Sequence, residues 1–317
     1  MIDGNRSGNS VRRKIESFGT ALSLPTVRKA LGVLEGAHTS NRRFGSADLM
    51  DIRPYEAGDE ARQIDWKTSA RTGRPMVVQR ERPSTSKVWL LLDVGVEMTA
   101  TCNSGEKAYQ VAANALCMFA ALSLRRGDQV SMVFGDCASI TRVPFNGGLA
   151  QFERTIDGAL ERGWNNPRNI DALLEYATRI RDRESLIVLA TDEHALSQRH
   201  LDTIRTIAGT HPMVLIDVAT INPFESSRFG TVLDATQNRR VPAFLRTQTT
   251  MAEVRTHREY VASAIQRELT RCGSTVIRAD SSERMFREFV KMVSAALARS
   301  TGNWLKTPST LSLGGRS

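Results

Sequence analysis

The sequence predicts an α/β protein built on a mainly parallel sheet with helices on both faces. Three observations lead there. Lys87-Val-Trp-Leu-Leu-Leu-Asp93 holds five consecutive apolar residues, the pattern of a strand covered on both sides. Ser185–Thr191 is a second such apolar run. From residue 87 onward, strand-like and helix-like segments alternate, as in βαβ units with right-handed crossovers.

Taken in order, residues 1–10 read as disordered. Residues 11–86 read as an N-terminal helical and irregular segment. Its helix-like pieces over 11–35 are interrupted at Pro25, with Leu24, Val27, Leu31 and Leu34 at amphipathic spacing. Residues 36–75 are polar and glycine-punctuated, hence irregular or turn-rich, before a short strand over Met76–Glu81 and a turn at Arg82-Pro83-Ser84.

Residues 87–298 form the α/β domain. Strands are expected at Val88–Asp93, Gln129–Phe134, Ile140–Val143, Ser185–Thr191, Met213–Val218 and Ser274–Arg278. Helices are expected at Gly105–Arg126, Leu149–Leu160, Ile170–Arg181, Gln198–Ala208, Met251–Arg271 and Glu283–Ala298. Residues 299–317, rich in Gly, Ser and Thr, read as a flexible tail.

Composition narrows the class. The 317 residues are 41% hydrophobic and 24% charged, values of a globular protein with ample material for a core. No apolar run is long enough to span a bilayer and the N-terminus has no secretory-type apolar segment, so a cytoplasmic location is expected. The four cysteines (Cys102, Cys117, Cys137, Cys272) lack metal-ligand spacing and read as free thiols of a reducing compartment.

The net charge of +9 is uneven. Residues 1–43 carry 8 basic and 3 acidic groups and residues 236–317 carry 14 and 6, while residues 44–235 carry 21 and 25. Solvated terminal surfaces account for this. The alternative is a basic-surface nucleic-acid or peripheral membrane binder in which Arg239 and Arg240 contribute. No aromatic interleaving or nucleic-acid motif accompanies the basic stretches, so no specific nucleic-acid partner is expected.

Asp51-Ile-Arg-Pro-Tyr-Glu-Ala-Gly-Asp-Glu-Ala-Arg62-Gln-Ile-Asp-Trp-Lys-Thr-Ser-Ala-Arg71 resembles the R-x-Y-x-x-G-D-x-x-R-x-I-D-W-x-x-S-A-R signature of the domain of unknown function 58 family. The matching positions include Arg53, Tyr55, Asp59, Arg62, Asp65, Trp66 and Arg71. The resemblance implies a Rossmann-like, von Willebrand factor A-like domain and a binding or adaptor role. Members are often encoded beside MoxR-type AAA+ ATPases, and a chain without membrane helices is similar to the short soluble subtype. The signature's two Asp and three Arg around one Trp suit either a knot of Arg–carboxylate pairs fastening the segment to the sheet or a partner surface.

The same resemblance implies a Mg²⁺ site at the carboxyl edge of the sheet, where α/β folds bind ligands. Mapped onto this chain, the D-x-S-x-S ligand motif falls on Asp93, Gly95 and Glu97, a later Asp on Asp192, and the ligating Thr on Arg168. Glycine and arginine at ligand positions imply a degenerate metal site of Asp93, Glu97 and Asp192, with Arg168 as salt-bridge substitute. No cofactor is expected, a weak Mg²⁺ site being the alternative.

Other chemistry has little support. Asp192-Glu193-His194 with His200 lacks the H-E-x-x-H arrangement, and its histidines read as surface residues. No phosphate-binding loop, nucleophile elbow or dinucleotide fingerprint is present. The family resemblance, with no catalytic motif beside it, implies a non-catalytic protein-binding adaptor partnering a MoxR-type AAA+ ATPase. The rival from another class is a divalent-metal-dependent hydrolase using Asp93, Glu97 and Asp192.

Overall fold

The structure is a computed structural model; it describes residues 3–23, 26–27, 30–31, 51–55, 64–79, 86–182, 185–224, 233–234 and 239–302. Residues 1–38 with 86–317 form one compact unit and residues 39–85 another.

The larger unit holds a six-stranded sheet in the order β5-β4-β3-β6-β7-β8. Its strands are β3 (Lys87–Asp93), β4 (Gln129–Gly135), β5 (Ile140–Phe145), β6 (Leu186–Asp192), β7 (Met213–Val218) and β8 (Thr275–Ala279). All neighbours run parallel except β5, which returns antiparallel on β4. The expected mainly parallel α/β sheet is what forms. β3 lies inside it, paired with β4 and β6, which is why its apolar residues do not alternate with polar ones.

Two apolar cores flank the sheet. Val88, Leu90 and Leu92 point to the first, with α3 (Ala108–Arg126), α4 (Leu149–Leu160) and α8 (Ser282–Gly302). Trp89 and Leu91 point to the second, with α5 (Ile170–Thr178), α6 (Leu201–Ala208) and α7 (Gln248–Arg271). The alternation of a strand's side chains thus loads both faces. α3 is buried along most of its length, because α1 (Asp3–Ala21) closes over it with Val11 and Ile15. Its alanines allow that close approach, and Phe119 packs edge-on against Phe289 with centroids 5.0 Å apart.

Two boundaries expected from sequence are corrected. Residues 3–10, expected to be disordered, are the first turns of α1; the buried Val11 and Ile15 further along anchor a helix that propagates back through polar residues. Residues 299–302 continue α8 rather than starting a tail, and residues 303–317 lie outside the described residues. Val27 and Leu31 are buried as their spacing anticipates, while Leu24, Pro25, Leu34 and Arg82-Pro83-Ser84 lie outside the described residues.

The smaller unit replaces the expected irregular stretch with regular elements. β1 (Asp51–Pro54) pairs antiparallel with β2 (Met76–Gln79), and α2 (Trp66–Thr72) lies between them in sequence. Asp65 caps α2, accepting from Lys67 N at 3.0 Å and from the Thr68 hydroxyl at 2.6 Å. Gly73 ends it at φ 67°, a left-handed turn suited to glycine. Elements of four and seven residues are too short to announce themselves by periodicity, and β1 depends on a partner far along the chain.

Cys102, Cys117, Cys137 and Cys272 are free. Among the described residues no helix is long and apolar enough to cross a membrane.

Candidate functional site

The carboxyl edge of β3 and β6 gathers the residues singled out from the sequence. Asp93 ends β3 and is fully buried. Its Oδ1 accepts Gly95 N–H at 2.9 Å, and its Oδ2 accepts the hydroxyl of Thr191 on neighbouring β6 at 2.8 Å. Asp192 ends β6, where its Oδ1 also accepts His194 N–H at 2.9 Å.

Arg168 arrives from the loop between α4 and α5. Its neighbour Asn169 caps α5, accepting Ala172 N–H at 3.1 Å. The loop is pinned from below by Asp136, which accepts from Arg162 at 2.9 Å and Asn166 at 3.2 Å. Backbone bonds from Val96 N to Asn166 O (2.8 Å) and from Cys137 N to Pro167 O (2.9 Å) hold it against the strand ends.

The guanidinium of Arg168 forks onto Asp192, with Nη1 2.8 Å from Oδ1 and Nη2 on Oδ2. Its Nε lies 3.6 Å from Asp93 Oδ2 and 3.8 Å from Glu97 Oε2, close enough for charge attraction but without a hydrogen bond. Its backbone N–H donates to Glu97 Oε2 at 2.9 Å. The structure therefore brings Asp93, Glu97, Asp192 and Arg168 together around one planar cation.

Gly95 permits this approach. A Cβ there would stand 2.5 Å from both Cα and N of Arg168, so no side chain fits opposite that backbone.

The electrostatics follow from burial. Burial pushes the Asp93 carboxyl above its ordinary value, more than Arg168 and the two hydrogen bonds pull it down. Burial works against the charged Arg168, but Asp192 first, then Asp93 and Glu97, outweigh it and raise its value.

A second knot at the same edge went unread in the sequence. Glu193, its side chain 3% exposed, takes Arg258 of α7 and Arg278 of β8, and also accepts Thr220 N–H at 2.8 Å. Burial would raise the Glu193 carboxyl, but Arg258, Thr220 and Arg278 together hold it low. Asp217, inside apolar β7, accepts from Arg278 at 3.0 Å, yet burial pushes it up to about 6. One signal was visible: an aspartate within Met213-Val-Leu-Ile-Asp-Val218 demands a buried partner.

The remaining site expectations divide. His194 is exposed, but His200, expected on the surface, is buried, with Nδ1 2.9 Å from Ser197 N. His211, in the turn before β7, is also buried, between the Ser185 hydroxyl and the Ile180 carbonyl at 3.2 Å each. In the signature, Asp65 is spent on capping α2 rather than on an Arg pair. Tyr55 and Trp66 are exposed, Trp66 at 71%, and so is Arg71. Asp59, Arg62 and the side chain of Arg53 lie outside the described residues. Arg239 and Arg240 are exposed.

The "Uncharacterized protein Rv1480" of Mycobacterium tuberculosis is 26% identical over 227 residues, 69% of this chain and 70% of its own. The "Uncharacterized protein Mb1516" of Mycobacterium bovis matches over the same extent at 26% identity. Among solved structures, an aerotolerance-related membrane protein from Bacteroides fragilis aligns at a TM-score of 0.43 and 12% identity, covering 66% of this chain and 99% of that one. Residues 51–267 match the family described as "Protein of unknown function DUF58", and the chain belongs to that family.

Proposed function

We propose that this protein is a non-catalytic, von Willebrand factor A-like binding module whose carboxyl edge carries an arginine where a metal ion would otherwise sit. One observation carries the reading: Arg168 bonds both oxygens of Asp192 while its backbone fills the space opposite Gly95. Mg²⁺ takes oxygen ligands in near-ideal octahedral geometry. Here a guanidinium stands among the carboxylates, and the position of a ligating serine has room for neither Cβ nor hydroxyl. The residues present do not fit the ion. Among the described residues, no group of three or more His, Cys, Asp or Glu is arranged to hold a metal.

The partner in this reading is a MoxR-type AAA+ ATPase, as the family resemblance implies. The protein docks by complementarity at a preformed, salt-bridged edge, without a metal bridging to a partner carboxylate. The test is capture of a MoxR-type ATPase from the same source with Mg²⁺ and with chelator, alongside calorimetric titration of the isolated protein with Mg²⁺ and Mn²⁺. Capture indifferent to chelator and no stoichiometric metal binding are expected. Stoichiometric micromolar metal binding would overturn the arginine-for-metal reading, and failure to capture the ATPase even after crosslinking would overturn the partner.

A further inference from the structure

The chain leaves β7 at Val218 and does not enter α7 until Gln248. β8 follows α7 and runs parallel to β7, so α7 descends toward the amino edge of the sheet and its first turns stand at the carboxyl edge. Arg258 of α7 donates to the Thr220 carbonyl at 2.6 Å, two residues past the end of β7. The helix therefore passes the edge near that residue, and residues 248–254 extend about 10 Å beyond it. The outgoing chain runs beside them, with Asn222 Nδ2 3.5 Å from the Met251 carbonyl.

The tip of this projection is closed twice. Leu233 faces Arg240 in an antiparallel bridge, and Asp234 N–H donates to the Arg239 carbonyl at 2.8 Å. Ala243–Leu245 forms a single tight helical turn, closed by Leu245 N–H on the Pro242 carbonyl at 3.1 Å. Its side chains are of two kinds. Phe244 is 78% exposed, Leu233 43% and Leu245 39%, so three of the six large hydrophobic side chains exposed among the described residues fall here. Scattered exposed hydrophobics are ordinary, but their concentration on one projection marks an interaction site. Arg239, Arg240 and Arg246 stand exposed in the same stretch, and among the described residues none of them has a carboxylate partner. The described residues from 233 to 255 hold four arginines against two carboxylates, Asp234 and Glu253.

We propose that this tip docks on a bilayer carrying acidic phospholipids, with Phe244 and Leu245 entering the acyl boundary and Arg239, Arg240 and Arg246 on the surrounding phosphates. One occupant supplies both halves of that chemistry. Guanidinium groups fork onto phosphate oxygens, and the hydrocarbon just beneath them receives a convex apolar tip without needing a fixed socket. A nucleic acid offers the phosphates but only flat base faces, which suit Phe244 and leave the two leucines unmatched. A protein partner needs an apolar socket already ringed by carboxylates. Docking in this way turns the carboxyl edge, with its Arg168 knot, toward the membrane. The inference goes beyond protein binding and stands whether or not an ATPase is the partner.

The test is flotation of the full chain with vesicles of phosphatidylcholine mixed with phosphatidylglycerol, and with vesicles of phosphatidylcholine alone. Binding to the mixed vesicles that weakens as salt rises is expected, with little to phosphatidylcholine alone. Arg239→Gln combined with Arg240→Gln and Arg246→Gln should weaken binding about a hundredfold, about fivefold for each charge. Phe244→Ser combined with Leu245→Ser should weaken it at least tenfold. Thermal midpoints should hold in both variants, because every altered side chain is exposed. Phe244→Trp should add fluorescence that lipids brominated on their acyl chains quench. No binding to the mixed vesicles, or equal binding to both kinds, would overturn the proposal. So would binding that survives the serine variant, since charge alone then holds the tip as it would a nucleic acid, and binding that survives the glutamine variant.

Discussion

Gly95 and Arg168 meet backbone to backbone: a Cβ on Gly95 would lie 2.5 Å from the nitrogen and Cα of Arg168. The contact explains how a glycine and an arginine at two ligand positions belong to one arrangement. Gly95→Ala should push the Arg168 loop outward and cost about 1–3 kcal/mol, the usual penalty of overpacking. Gly95→Ser should cost at least as much, because a hydroxyl adds volume without an empty partner position. Denaturant midpoints of the purified variants measure both.

Arg168 is the counter-charge for buried Asp93 and Asp192. Arg168→Ala should destabilise by about 3–5 kcal/mol, because removing one partner leaves an uncompensated buried charge. Arg168→Lys should fall between, since an ammonium cannot fork onto both oxygens of Asp192. Equilibrium unfolding in urea distinguishes them, and a variant as stable as the native chain would refute the role.

Asp217 makes stability depend on pH in an uncommon direction. Its folded value, about 6, lies above the ordinary 3.8, so the folded state holds a proton that the unfolded chain has already released. Stability contributed by the neutral carboxyl is complete below the ordinary value and is lost as pH rises toward the folded one. Asp217→Asn mimics the neutral form and removes this loss, while Arg278 keeps Glu193. The variant should therefore gain on the native chain between pH 4 and pH 7, by up to about 3 kcal/mol. Unfolding midpoints of the pair at each pH give the difference. A flat difference would place the titration elsewhere.

Trp66 is 71% exposed at the start of α2, in the most distinctive stretch of the sequence. Trp66→Ala should change stability by no more than about 0.5 kcal/mol, as exposed substitutions do. A large exposed aromatic within a dense signature is a candidate for an interface anchor. The same variant should lower capture of the proposed ATPase partner, measured side by side with its thermal midpoint.

Parts of this molecule were legible because they depend on local pattern. Leu90–Leu92 and Leu186–Ala190 read as doubly covered strands because continuous apolarity has few other uses. Leu149–Leu160 and Met213–Val218 begin and end where their periodicity does. Asp93, Glu97 and Asp192 could be placed at one sheet edge because strand ends in an α/β fold converge there. β1 and α2 were missed because four residues, one of them proline, and a seven-residue capped turn carry too little pattern.

The sequence by itself determined the α/β class, the family and the edge where the acidic residues collect, since these follow from apolar period and from a dense local signature. Only the tertiary structure decided which charges meet. Arg258 and Arg278 reach Glu193 across 65 and 85 residues, Arg168 fits because Gly95 has no Cβ, and β8 stands at the open end of the sheet. Ion pairing and strand order depend on where distant segments are brought together in space, and no local period records that.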